Sequence, residues 1–201
     1  SWFVDDICSA LAFLHSQSPA VIHGDLKPSN VFAVPGAGRH KAVLLDFGLS
    51  RVLTKNVRKL GGTLSYMAPE VVLREQASAS YLADVFSFGR VLYMIATGLR
   101  PLANATREEI RAAASRREPM SLVWPEEMFL RAELQELYAS CVRTEAHLRP
   151  SISEVQTRWR ELHPHLLPRE GCGLDLRAAL DEVRSMPPTA PSSPAYTSVL
   201  A

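Results

Sequence analysis

Apolar residues at the start of the chain recur at helical spacing. Between residues 2 and 16 they fall three or four positions apart, and Ser1 stands where an N-terminal cap is expected. The spacing predicts a helix over residues 2–16 with one buried face. Ser18-Pro19 should end it, because the residue before a proline disfavours helical backbone.

Three short apolar runs follow this helix, at Val21-Ile22, Val31–Val34 and Ala42–Leu45. The last two flank residues 35–40, a segment rich in turn-forming residues, which predicts a hairpin of short strands. Residues 47–67 are polar, basic and glycine-containing, with neither helical nor alternating periodicity. We therefore expect a long irregular loop there, of the kind that is usually functional in a compact domain.

The pattern turns helical after Pro69 and stays so for most of the chain. Apolar periodicity and the flanking glycines and prolines predict helices over residues 70–75, 81–97, 106–116, 130–142 and 151–162. A further amphipathic helix is expected over residues 174–185. The segment 187–201 is rich in proline and serine, which predicts a disordered tail.

The composition bounds the class of protein. With 201 residues, 47% hydrophobic and 21% charged, the chain has enough apolar material for one full-sized globular domain. Its 22 basic residues barely exceed its 21 acidic ones. A general nucleic-acid binder needs a basic surplus to neutralise phosphates, so we expect no nucleic-acid partner.

Cysteine usage and hydropathy give expectations about the cellular compartment. Cys8, Cys141 and Cys172 are far apart and lack any CxxC spacing, which argues against a disulfide framework or a structural zinc site. A reducing, cytoplasmic setting fits best. The most apolar stretch, residues 85–97, is too short to span a bilayer and contains Arg90, so it predicts a buried helix and no membrane span. The chain begins at Ser1 rather than Met, which leads us to expect a piece of a longer protein.

The residues that indicate chemistry lie in three short motifs. The stretch His23-Gly24-Asp25-Leu26-Lys27-Pro28-Ser29-Asn30 is followed by Asp46-Phe47-Gly48 and then by Ala68-Pro69-Glu70. Alone, the first motif could be an ordinary turn and the second a chance tripeptide. Their shared order along one chain favours a common function over coincidence.

These residues match the needs of phosphoryl transfer, which requires a carboxylate near the attacking hydroxyl, oxygen ligands for Mg²⁺ and a cation near the phosphate. Asp25 is the candidate base, and Lys27 is the candidate contact to the γ-phosphate of ATP. Asn30 and Asp46 are candidate ligands for magnesium. Gly48 would give the backbone freedom that a switchable loop requires.

These motifs resemble the C-terminal, large lobe of a eukaryotic protein kinase over residues 1–162. Residues 62–70 are similar to the end of an activation segment, and residues 84–89 to the start of the central helix. The resemblance implies a protein-kinase-like α+β fold, of which this chain would be the mainly α-helical C-lobe with short β-hairpins around the catalytic loop. The small N-terminal lobe would lie upstream in the parent protein, and residues 163–186 and 187–201 would form an extension and a tail.

Two details point toward serine or threonine as the acceptor. Lys27, two residues after the candidate base, and Thr63, after Gly62, resemble serine/threonine kinases more than tyrosine kinases. The resemblance gives Thr63 a direct supporting role in catalysis. The sequences of the three motifs are similar to those of the tyrosine-kinase-like group, whose members mostly phosphorylate serine and threonine. They read DLKPSN, DFGLS and GTLSYMAPEV.

Other motif residues have structural roles by the same resemblance. Asp84 is expected to hold the backbone of the catalytic loop. Glu70 and Arg149 are expected to form a shielded ion pair that anchors the activation segment. His23 is expected to be a packed scaffold residue rather than an acid or a base.

The sequence also departs from the family pattern. Gly24 replaces the arginine that in many kinases binds a phosphorylated activation loop, so that charge-assisted clamp is missing. Phe86 replaces a common tryptophan, a change that a core can absorb. The chain has no GxGxxG motif, and the small lobe with its phosphate-gripping lysine and partner glutamate is absent from it.

Three functions therefore remain open at the level of sequence. The first is an ATP- and Mg²⁺-dependent protein serine/threonine kinase acting in signal transduction on a protein substrate, of which this piece alone would be inactive. The second is a catalytically silent kinase-like scaffold or interaction module. The third is a kinase-like enzyme acting on small molecules, which is disfavoured because such relatives generally lack the Ala68-Pro69-Glu70 anchor.

Overall fold

The computed structural model describes residues 2–36, 39–45, 64–74 and 80–162 and the backbone of residues 51–52. The predicted helix over 174–185 and the predicted tail lie outside the described residues, as do Asp46, Gly48, Thr63 and Cys172. The described part is mainly helical, with two small antiparallel sheets near the first helix. No helix in this part is long and apolar enough to cross a bilayer.

Helix α1 spans Trp2–His15 and packs against the hairpin and the last helix of the described region. The predicted buried face is confirmed, since it carries Val4, Ile7, Cys8 and Leu11. Asp6, on another side of the helix, accepts hydrogen bonds from the Arg39 guanidinium at 2.8 and 2.9 Å and from the backbone N–H of Ala42 at 3.0 Å. These contacts fix the hairpin against α1, and they leave the pKa of Asp6 lowered even though desolvation of the carboxyl acts to raise it.

The predicted hairpin is confirmed. Strand β2 (Val31–Pro35) pairs antiparallel with β3 (His40–Leu44), in a register that places Val31 opposite Leu44 and Pro35 opposite His40. Buried Val31, Ala42 and Leu44 join the main core beneath α1. The hairpin therefore attaches the segment just before it, residues 23–30, to the body of the protein.

The prediction of an unbroken irregular loop over residues 47–67 is wrong at two places. Arg51–Val52 form strand β4, which pairs antiparallel with β1 (Val21–Ile22), and Leu64–Tyr66 form a 3₁₀ turn. A strand of two residues is too short to show alternation, and its partner lies about 30 residues earlier in the chain. Tertiary pairing therefore creates an element that has no local signature.

Helix α3 (Tyr81–Thr97) is the centre of the fold, and its prediction over 81–97 is confirmed to the residue. The Ser80 hydroxyl caps it by accepting from the N–H of Leu82 at 3.1 Å, and Gly98 ends it in the left-handed conformation at φ 72°. Most of its residues between positions 83 and 95 are buried, as expected for a helix enclosed by others. At Gly89 an added Cβ would lie 2.8 Å from the Cβ of Cys141, so glycine is needed where the helix that ends at Cys141 packs against α3.

The remaining helices of the described region pack against α3, against α1 or against one another. Helix α2 (Pro69–Val72) is shorter than the predicted 70–75, because Arg74 has a positive φ of 57° that ends helical backbone. Helices α4 (Arg107–Arg116), α5 (Arg131–Cys141) and α6 (Ile152–Leu162) lie within a residue or two of their predicted bounds. Cys8 and Cys141 are free thiols in this core, and burial raises the pKa of Cys141 to about 12, so it stays protonated.

A buried ion pair joins α2 to the segment before α6. The Arg149 guanidinium donates to both carboxylate oxygens of Glu70, at 2.6 and 2.8 Å, and both side chains are almost fully buried. Arg149 also donates to the carbonyls of Leu82 at 2.9 Å and Arg143 at 2.8 Å, which satisfies more of its N–H groups. Charges out of water need such complete pairing, so neither partner can be removed alone without a large cost.

We expect Arg149→Met to lower the free energy of unfolding by about 3–5 kcal/mol, because it leaves the Glu70 carboxylate buried and unpaired. The double variant Glu70→Gln/Arg149→Met should recover a substantial part of that loss, since it leaves no buried charge at these two positions. Urea unfolding of the single and double variants measures both. Equal stability of the Arg149→Met single variant and the wild-type protein would contradict this account.

Candidate active site

The segment between β1 and β2 places the first chemical motif in a single short loop. Gly24 has a positive φ of 77°, which glycine adopts without the penalty of a side chain. Lys27 then has extended backbone, and Pro28 begins a 3₁₀ turn over Pro28–Asn30 that the N–H of Asn30 closes on the carbonyl of Lys27 at 3.0 Å. The loop thus reverses direction and returns the polar side chains to one place.

Asp25 and Lys27 form a close ion pair in this loop. The Lys27 ammonium donates to Asp25 Oδ2 at 2.6 Å, with the aspartate side chain 9% and the lysine side chain 22% exposed. Asn30 Nδ2 donates to the same oxygen at 3.2 Å and to the Asp25 backbone carbonyl at 2.8 Å. Because both side-chain donors use Oδ2, Oδ1 of Asp25 has no hydrogen bond from these described side chains and could accept a proton or a hydrogen bond from another group.

Asn30 contributes the oxygen chemistry that a hard cation requires. Both side-chain hydrogen bonds described above use Nδ2, so neither occupies Oδ1, the atom that could coordinate magnesium. The second candidate ligand, Asp46, lies outside the described residues. Leu45 donates its backbone N–H to the carbonyl of Asn30 at 2.8 Å, so the described end of the hairpin lies beside Asn30. An amide oxygen and a carboxylate are a suitable donor set for Mg²⁺.

Asp84, in the first turn of α3, binds the backbone of the loop. The Asp84 carboxylate accepts from the N–H of His23 at 2.8 Å through Oδ2 and from the N–H of Gly24 at 2.9 Å through Oδ1. Asp84 is almost completely buried. Two consecutive peptide units before Asp25 are therefore fixed by one carboxylate that lies 60 residues or more away in the chain.

His23 occupies the interior rather than the open side of the site. Its side chain is fully buried, and its Nδ1 accepts from the backbone N–H of Asp25 at 3.3 Å. The scaffold role expected for His23 stays a prediction. Glu70 and Arg149 are not part of this cluster. Their side chains bond to each other, and Arg149 also donates to backbone carbonyls of other segments.

Sequence reasoning missed one side chain at this site. His15, at the last residue of α1, has its Nε2 at 2.9 Å from Asp84 Oδ2, and its ring lies against that of Tyr81 with centroids 5.6 Å apart. The signal was available in the pattern. Position 15 continues the buried face of α1 four residues after Leu11, and a titratable residue there requires a buried partner.

A family model for the protein kinase domain matches residues 1–159. Among curated proteins, receptor-interacting serine/threonine-protein kinase 3 from Rattus norvegicus is 31% identical, covering 80% of this chain and 35% of the relative. Serine/threonine-protein kinase AfsK from Streptomyces coelicolor is 33% identical, over 87% of this chain and 20% of its own length. A probable inactive receptor kinase from Arabidopsis thaliana is 30% identical, over 77% of this chain and 25% of the relative.

The chain thus spans between a fifth and about a third of the length of these relatives. The family match covers the helical body, the loop of residues 23–30 and the Glu70–Arg149 ion pair alike, since it runs from α1 into α6. On that match, this chain belongs to the protein kinase family.

Proposed function

We propose that the chain is the large lobe of a protein kinase that transfers the γ-phosphate of ATP to serine or threonine of a protein substrate. The observation that carries this proposal is the cluster of Asp25, Lys27 and Asn30, joined by contacts of 2.6 to 3.2 Å and held by Asp84. A pseudokinase usually lacks one or more of these groups. Here the described residues keep them together in one loop.

Each side chain has a role that follows from its chemistry. Asp25 orients the substrate hydroxyl and takes its proton as the oxygen attacks the γ-phosphorus and the bond to ADP breaks. Lys27, already adjacent to that carboxylate, offsets negative charge on the transferred phosphoryl group. Asn30 and Asp46 would hold Mg²⁺, which supplies charge neutralisation on the phosphate oxygens when bound. Thr63 would support the loop around Asp25.

The acceptor and substrate class are supported by the relatives and by the anchor motif. Two of the named relatives are described as serine/threonine-protein kinases. The Ala68-Pro69-Glu70 segment is fixed through the Glu70–Arg149 pair, which suits a surface that docks a peptide beside the site. The sequences of the motifs support placement in the tyrosine-kinase-like group. The free thiols of Cys8 and Cys141 support a cytoplasmic setting.

The complete kinase needs a glycine-rich loop, a strand lysine and a helix glutamate, none of which this chain contributes. We infer that a small N-terminal lobe of the parent protein supplies them, with residues 1–162 as the large lobe and residues 163–201 as an extension and tail. The matched portion is 35% of one relative and 20% of another, which leaves room in such proteins for that lobe.

A silent scaffold is the second candidate, favoured by one observation. A relative that is 30% identical over 170 residues is named a probable inactive receptor kinase. The sequence upstream of residue 1 in the parent protein discriminates between the two functions. A glycine-rich loop followed by a lysine and a glutamate supports the enzyme, and their absence supports the scaffold.

Asp25→Asn should reduce phosphoryl transfer by at least about 10²-fold, because an amide cannot accept the proton of the hydroxyl. The measurement is transfer of labelled γ-phosphate from ATP·Mg²⁺ to a generic serine/threonine substrate by the complete parent protein. Glu126→Gln, the same chemical change at an exposed position, is the matched control and should leave the rate unchanged. The 201-residue chain alone should show no transfer.

Full activity of the Asp25→Asn variant would refute the role of this carboxylate. Absence of transfer by the folded wild-type parent would instead favour the scaffold. The two results are distinguishable because each concerns a different protein in the same assay.

Activity should not depend on phosphorylation of the activation segment through residue 24, since Gly24 has no guanidinium to bind a phosphate. We expect phosphatase treatment of the parent protein, and the single changes Thr54→Ala and Ser65→Ala, to leave the transfer rate intact. Thr63→Ser serves in place of an alanine change at Thr63, because it keeps the hydroxyl. Loss of activity on dephosphorylation, reproduced by Thr54→Ala or Ser65→Ala, would contradict the prediction.

A further inference from the structure

A groove between α5 and α6 lies outside the site described above. Each helix contributes residues three and four positions apart, which share one side of a helix. The lining residues are Glu133, Glu136 and Leu137 on α5 and Arg158, Glu161 and Leu162 on α6. The volume of the groove is about 230 Å³. A cavity of about 150 Å³ accommodates a benzene ring, so this groove has room for one or two aliphatic side chains.

The lining of the groove combines an apolar floor with an acidic rim. Leu137 is almost completely buried and Leu162 is half-buried, whereas the four charged residues are exposed. Three glutamates against one arginine give the lining a net negative charge. The segment that fits such a groove has aliphatic side chains and a nearby cation.

Helix α6 is attached to the body of the protein by a different side. Val155 and Trp159 are buried in the main core, and the Arg160 guanidinium donates to the Asp5 carboxylate of α1 at 2.6 Å. None of these residues lines the groove. The contacts that position α6 therefore leave its groove side available for another segment.

The chain itself continues from the end of this groove, since Leu162 is both a lining residue and the last residue of α6. Residues 163–169 follow and read HPHLLPR. Pro164 disfavours continuation of the helix, because the residue before a proline avoids helical backbone. The sequence therefore favours a change of chain direction directly beside the groove.

The composition and length of this segment suit the groove. Leu166 and Leu167 are an aliphatic pair, and Arg169 is a cation. Leu166 comes four positions after Leu162, a span of at most about 13 Å, whereas one helical turn of the α5 wall is only about 5 Å long. So short a connection gives an effective concentration in the millimolar range, at which weak apolar and ionic contacts suffice for docking.

We propose that the groove between α5 and α6 is the docking site for residues 163–169 of this same chain, with the two leucines on the apolar floor and Arg169 among the glutamates of the rim. The proposal concerns the helical body and does not depend on phosphoryl transfer. Its consequence is an anchored extension: whatever follows residue 169 leaves the lobe from the groove rather than along the axis of α6.

Hydrogen exchange in the complete parent protein tests the docking. The amides of residues 159–162, in the last turn of α6, should exchange slowly in the wild type, because the docked segment covers a helix end that would otherwise fray. We expect Leu166→Ser/Leu167→Ser to accelerate their exchange by about 10-fold or more. The matched control is Leu174→Ser/Leu176→Ser, the same change a few residues later in the chain, and it should leave their exchange unchanged.

The charges of the rim give a second test. Glu133→Lys/Glu136→Lys should accelerate the same amides, since Arg169 would then meet like charge, and adding Arg169→Glu should restore slow exchange. Both effects should shrink as the ionic strength rises, because the charged lining residues are exposed. A general disturbance of α5 by the two lysines would not be reversed by a change at residue 169.

Fast exchange of residues 159–162 in the wild-type parent would overturn the proposal and leave the groove to another protein. Acceleration by Leu174→Ser/Leu176→Ser that equals or exceeds the effect of Leu166→Ser/Leu167→Ser would also overturn it, and would assign the groove to residues 174–185. So would slow exchange that neither variant accelerates. If the lysine variant does not fold, Arg169→Glu alone decides: faster exchange supports the proposal, and unchanged exchange refutes it.

Discussion

The structure of the site depends on one buried carboxylate, that of Asp84. A carboxyl group in the interior needs hydrogen-bond partners, and among the described residues this one contacts the two loop N–H groups and the His15 imidazole. The need of the carboxylate for donors also constrains the loop that supplies them. The loop must adopt the one shape that brings its N–H groups to the carboxylate, and Gly24 makes that shape accessible through its positive φ.

The Glu70 and Arg149 side chains are also buried, and they meet their need for partners by pairing with each other. Here the opposite charges meet directly, and the remaining guanidinium donors are satisfied by backbone carbonyls. Arg90, in the middle of α3, uses aromatic rings instead: its guanidinium lies over those of Phe86 and Tyr138, and burial lowers its pKa. The buried charges on and around α3 are thus accommodated by distinct partner chemistries.

The sequence predicted the elements whose signals are local. Apolar periodicity and Gly98 bounded α3 correctly, and the turn-rich segment 35–40 located the hairpin. The β1–β4 pairing was missed, because two-residue strands carry no periodicity and depend on a partner distant in the chain. Local pattern also gives no means of finding the partner of His15, which is 69 residues away. The role of Asp84 was expected only through family resemblance.

The separation of 60 and 61 residues between Asp84 and the two loop amides has a consequence for when this loop takes its folded shape. Closing so long a span is entropically costly, so these hydrogen bonds form only when α3 and β1 are already assembled around the core. The loop of residues 23–30 lacks two of the hydrogen bonds that shape it before that stage. A nascent or partly unfolded chain therefore contains the motif without its folded geometry, which forms only with tertiary assembly.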